Sequence, residues 1–105
     1  MINVILIDVE KEEVNEIEFD LSDLDKLLKS KLIDYIPYDN DHYLFFSDDK
    51  KFKKCFQINE LKFTGNGLLI GYDVINNRLS DVIVDIDNLN VDFSTKNNFF
   101  TKIFY

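Results

Sequence analysis

The segment INVILIDVEKEEVNEIEF, residues 2–19, holds two β-patterns of different kinds separated by a charged turn. From Ile2 to Val9 the chain is apolar on both faces, with Val4 and Leu6 on one side and Ile5, Ile7 and Val9 on the other. A short run of that kind suits a central strand covered on both sides. Glu10 to Glu13 turns the chain. Val14 to Phe19 then alternates, with Asn15, Ile17 and Phe19 facing one way and Glu16 and Glu18 the other, the signature of a strand with one wet face. The segment therefore predicts an N-terminal β-hairpin.

Helical spacing follows only once. Helix signals begin at Asp20 and Ser22: Leu21, Leu24, Leu27, Leu28 and Leu32 form one apolar stripe, Ser22 and Asp25 resemble a capping box, and Asp23 and Lys29 complement the helix dipole at its two ends. Past the helix the pattern is β again. Strands are expected over 33–38, with Pro37 marking an edge or a strand end, and then over 42–46, 52–58, 68–75, 79–86 and 90–93. The turns between them lie at Asp39-Asn40-Asp41, 47–51, Gly65-Asn66-Gly67 and Asn76-Asn77. Strands segregated from one helix predict an α+β domain with a mainly antiparallel, curved sheet and one short helix after the hairpin. That domain covers 1–94. The remaining segment, 95–105, carries Phe99, Phe100, Ile103, Phe104 and Tyr105. It is expected to pack back on the domain or to form an oligomer contact, because each such side chain left in water forgoes about 1.5–3 kcal/mol.

A chain of 105 residues of which 46% are hydrophobic can build one core and is not a disordered chain. The N-terminus lacks a basic region and a cleavage site and reads as a strand, not a signal peptide. With a single cysteine, Cys55, no internal disulfide forms, and a cytoplasmic location is expected. The net charge of −8 disfavours nucleic acid and anionic membranes as direct partners and is compatible with a basic protein surface, though many cytosolic proteins are acidic without such a partner.

Signatures of phosphate loops, metalloproteases, paired-cysteine redox sites and serine hydrolases do not occur in the sequence, so no cofactor and no metal are expected. His42 has Asp39 and Asp41 beside it, which make a turn more readily than a metal site. Cys55, placed by alternation on the polar face with Lys51, Lys53 and Gln57, is a candidate reactive thiol if the ammonium groups lower its pKa, and otherwise a packed side chain. Lys50, Lys51, Lys53 and Lys54 form a basic cluster that would suit a phosphate ligand or, more simply, guard a strand edge. Asp81, Asp85, Asp87 and Asp92 follow late in the chain. Asp85 and Asp87, two apart on an expected strand, read as a solvated acidic face. Joined to Glu16, Glu18, Asp39, Asp41, Asp48 and Asp49, they are the candidate partner-binding surface.

The segments IDYIPYDNDHYLFFSDD, 33–49, and TGNGLLIGYDV, 64–74, placed after a hairpin and a Leu-rich helix, resemble small phage- and plasmid-borne proteins of unknown function. The resemblance covers roughly residues 2–75. It implies an accessory gene of a mobile element, a class that includes anti-CRISPR and anti-restriction inhibitors of host defence. The expected function is a non-enzymatic inhibitor whose acidic surface blocks a basic nucleic-acid-binding site of a host complex. The alternatives are an immunity- or antitoxin-like binder of a cognate toxin, and a ligand-binding protein or thiol enzyme using Cys55 and the lysines. An edge strand with the C-terminal aromatics makes a dimer possible.

Overall fold

The structure, a computed structural model, describes residues 1–47 and 49–95. Nine strands are described: β1 (Ile2–Asp8), β2 (Glu13–Phe19), β3 (Ile33–Asp39), β4 (His42–Ser47), β5 (Lys54–Ile58), β6 (Leu61–Thr64), β7 (Gly67–Asp73), β8 (Arg78–Ser80) and β9 (Val91–Thr95). One helix, α1 (Leu24–Leu28), follows the N-terminal hairpin. The fold is α+β, and every strand pair is antiparallel.

The strands form two sheets. The larger has the order β2-β1-β7-β4-β3, with β8 also paired to β7, and the smaller has the order β6-β5-β9. β1 and β7 are interior strands of the larger sheet, which is why both read as apolar on two faces. On one face Ile5, Ile7, Val9, Leu44 and Leu69 meet Phe56 and Ile58 of the smaller sheet. On the other, Val4, Phe19, Leu68 and Ile70 meet Leu28 of α1.

α1 has five residues, too short to persist on propensity alone. The sheet holds its C-terminal carbonyls: Ser47 Oγ donates to the Leu28 carbonyl at 2.6 Å and Asn66 Nδ2 donates to the Leu27 carbonyl at 3.1 Å. Lys29, with φ 55°, closes the helix in the left-handed region. The expected cap at Ser22 is corrected. Asp20 caps instead, its carboxylate accepting from Ser22 N and Oγ at 3.0 Å each, and a 3-10 turn over Leu21–Asp23 precedes the helix. Because the helix spans only Leu24–Leu28, Leu21 in the turn before it and Leu32 beyond its end fall outside the expected stripe and stay exposed.

The expected strand 79–86 is also corrected. Only Arg78–Ser80 pairs with β7, opposite Gly71–Asp73. Farther along, that side of β7 belongs to β1, with Ile5 opposite Leu69. The chain therefore leaves the sheet and crosses its face. The Asp81 carbonyl oxygen lies 2.1 Å from where a Cβ on Gly71 would stand. Val82 N donates to the Asn3 carbonyl at 2.8 Å, and Asn3 N donates to Asp81 Oδ1 at 2.8 Å. Val82, Val84, Ile86 and Leu89 then pack on the core between the sheets. A second 3-10 turn, Ile86–Asn88, ends the crossing beside β2.

The aromatic residues expected to pack from the tail lie outside the described residues, as does Asp48. Among the described residues no helix is long and apolar enough to cross a membrane.

Candidate functional site

The candidate acidic residues separate into groups. Glu16 and Glu18 project from β2, the outer strand of the large sheet. Glu16 stands opposite Ile5 and so on the face that the crossing segment covers. The 3-10 turn Ile86–Asn88 lies against β2. With Ile86 turned into the core, Asp85 and Asp87 of this turn are left exposed. The expected strand geometry for Asp85 and Asp87 does not hold: Asp85 caps the turn, its Oδ1 accepting from Asp87 N at 3.1 Å. The side-chain carboxylates of Glu16, Glu18 and Asp87 have no hydrogen bond or ion pair among the described residues.

Asp39 and Asp41 lie elsewhere, at the β3–β4 turn on the far side of the sheet. Asp39 Oδ1 accepts from the Asp41 amide and from His42 Nδ1, both at 2.8 Å. Burial raises the Asp39 pKa, but the hydrogen bonds from His42 and Asp41 outweigh it and hold the carboxyl below its ordinary value. Asp49 lies beyond the opposite end of β4. Its carboxylate accepts from Lys51 N at 3.1 Å and Ser30 Oγ at 2.9 Å. The Lys51 amide does most to lower its pKa, with Ser30 assisting. Asp81 is occupied by the Asn3 amide. Asp39, Asp49, Asp81 and Asp85 therefore tie backbone together, while Glu16 and Glu18 on β2 and Asp87 in the turn packed against β2 stay exposed with unpartnered carboxylates.

The other candidates take structural places. His42 is 2% exposed. With Nδ1–H donated to Asp39, its Nε2 accepts the Ile83 N–H at 3.1 Å, so both ring nitrogens are used to latch the crossing segment to β4. Cys55 is not on a polar surface as alternation suggested but 2% exposed, because β5 is the middle strand of the small sheet, flanked there by Thr64 and Ser94. For the same reason the lysines do not guard an edge. Lys51 and Lys54 have carboxylate partners, Asp49 at 3.7 Å and Glu10 at 3.8 Å, and Lys51 also lies over the Phe52 ring. Lys53 is exposed.

Sequence reasoning missed a second surface. On the face that carries α1, the helix covers only one end of the sheet. At the other end Tyr35, Tyr43, Phe45, Tyr72 and Leu79 line an open depression of about 310 Å³. Tyr35 is stacked on Phe45 at 5.2 Å and stands edge-on to Tyr43 at 5.5 Å, and Tyr43 stands edge-on to Tyr72 at 5.1 Å. The Tyr72 hydroxyl donates to Asn77 Oδ1. The signal was present in the sequence: aromatic residues at every second position of paired strands share a face.

The chain matches no protein-family model, no curated protein and no solved structure.

Proposed function

We propose that this protein acts by binding, not by catalysis, and that its acidic β2 edge occupies a basic, nucleic-acid-binding surface of a host protein complex. The observation that carries this reading is the exposure of Glu16 and Glu18 on β2, and of Asp87 in the turn packed against β2, without cationic partners among the described residues, on a molecule of net charge −8. Carboxylates held apart from neutralising lysines keep their field, and such a field raises the encounter rate with a cationic surface. The resemblance to mobile-element proteins supports a host-defence complex as the target. The thiol alternative is weakened by the burial of Cys55, and the ligand alternative by the pairing of Lys51 and Lys54.

The test is capture of the partner from nuclease-treated host lysate by the tagged protein, at low and high salt, beside a Glu16→Lys/Glu18→Lys/Asp87→Lys variant. A stoichiometric nucleic-acid-binding protein, lost both at high salt and with the variant, is expected, since raising salt from 0.1 to 1 M shortens the screening length from about 10 to about 3 Å. A partner held equally by the variant would refute the acidic edge as the contact.

A further inference from the structure

The aromatic end of the large sheet is a surface separate from the acidic edge, because Tyr43 and Phe45 lie on the sheet face opposite to Glu16. Its rings hold one another in fixed edge-to-face and stacked contacts, and Tyr35 is 57% exposed. In water such an arrangement is costly unless something covers it.

Three features select the occupant. First, the neighbouring edge strand β3 is blunted against strand addition. Pro37 has no N–H, and the Tyr35 N–H is already taken by the Asp34 carboxylate at 2.8 Å. A partner therefore engages the rings and not the backbone. Second, stacked bases are a common occupant of exposed aromatic rows, but they need a cationic groove for the phosphates. Here the molecule carries −8, and the neighbouring cation, Arg78, stands beyond Leu79 as the cross-strand partner of Asp73. A second copy would bring two charges of −8 together. Third, the quadrupoles of the tyrosine faces favour positive charge, and the Asp34 carboxylate, held on the Tyr35 amide at the sheet edge, adds a negative charge at the rim of the depression.

We propose that Tyr35, Tyr43, Phe45, Tyr72 and Leu79 form a docking site for an extended arginine-bearing segment of a partner protein. The guanidinium planes lie on the Tyr35 and Tyr43 rings, where Arg stacks better than Lys, and the aliphatic stems rest on Phe45 and Leu79.

The full-length ¹⁵N-labelled protein is titrated with a capped Gly-Arg-Gly-Arg-Gly-Arg-Gly peptide and with its lysine and citrulline counterparts, and the amide and tyrosine-ring resonances are followed. The arginine peptide is expected to shift Tyr35, Tyr43 and Tyr72 saturably, the lysine peptide to bind less tightly, and the neutral citrulline peptide to bind at least about tenfold more weakly, the equivalent of ~1.4 kcal/mol for two cation–π contacts. Tyr35→Leu/Tyr43→Leu keeps the apolar bulk and should lose about the same factor. If that variant does not fold, the exposed single change Tyr35→Leu replaces it, with a smaller expected loss. Glu16→Lys/Glu18→Lys should leave the tyrosine shifts in place, which separates this site from the acidic edge. Four results would overturn the proposal: equal binding of the citrulline peptide, shifts confined to Glu16, Glu18 and Asp87 or no shifts at all, the same tyrosine shifts with an oligothymidylate, or tyrosine shifts that track protein concentration without peptide.

Discussion

At the scale of single residues, much of the fold's specificity rests on a few buried polar side chains that join elements distant in sequence. Asn66 is 1% exposed. Its Oδ1 accepts the Val9 N–H at 3.0 Å and its Nδ2 donates to the Leu27 carbonyl, so one side chain links the end of β1 to the end of α1. Asn66→Ala would leave the buried Val9 amide without its acceptor. A loss of about 1–3 kcal/mol in unfolding free energy is expected, read by urea titration. The aspartates that cap turns make a second prediction. The carboxyl pKa values of Asp20, Asp39, Asp49 and Asp73 all lie below the ordinary value. A group whose pKa is lower in the folded state contributes stability that is complete above the unfolded pKa, near 4, and is lost as pH falls through the folded value. The urea midpoint should therefore hold from pH 7 to about 5 and fall steadily below pH 4. Asp39→Asn should reduce the drop, because this variant has given up its share already at neutral pH. Cys55 gives a third. With the thiol 2% exposed, its reaction with an aromatic disulfide reagent should be slow in native buffer and fast in urea, whereas a surface thiol would react at similar rates in both.

At the scale of elements, the hairpin, the helix and most strands were legible because each obeys a local rule. β1 is apolar on two faces and lies between two strands, while β3 carries Pro37 and lies at an edge. The segment 79–86 shows where local rules stop. Its alternation of apolar and polar residues is real, since Val82, Val84 and Ile86 do face the core, but the edge of β7 on which it would continue as a strand is taken by β1. That is a competition between distant segments, and no window of sequence contains it. Cys55 was misplaced for a related reason: alternation gives the side of a strand, not what covers that side. The crossing of this segment depends on Gly71. A methyl group there would meet the Asp81 carbonyl at 2.1 Å, with backbone on every near side. Gly71→Ala should force the segment 80–82 off the sheet, strain the Ile83–His42 latch and cost about 1–3 kcal/mol. Hydrogen exchange would then show loss of protection at Val82 and Ile83 and at Asn3, whose amide donates to Asp81, with the rest of β1 and β2 protected as before.

At the scale of the whole molecule, charge sets stability and binding against each other. Glu16 and Glu18 stand two apart on one face of β2, the turn that carries Asp87 packs against that strand, and no lysine or arginine forms an ion pair with these carboxylates among the described residues. Like charges so placed repel, at a few tenths of a kcal/mol per pair. If the group exists to meet a cationic partner, its retention is a cost to the free protein, the usual relation between function and stability at a binding surface. Glu18→Lys should then raise the thermal midpoint slightly at low salt, by no more than about 0.5 kcal/mol in stability, and the gain should shrink as salt screens the repulsion it relieves. The same change should weaken partner capture. Opposite signs in the two measurements separate a binding surface from a structural one, since a carboxylate that the fold needs would lose both stability and binding together. Thermal melts of the wild type and Glu18→Lys across a salt series, set beside the capture experiment on the same two proteins, measure both signs directly.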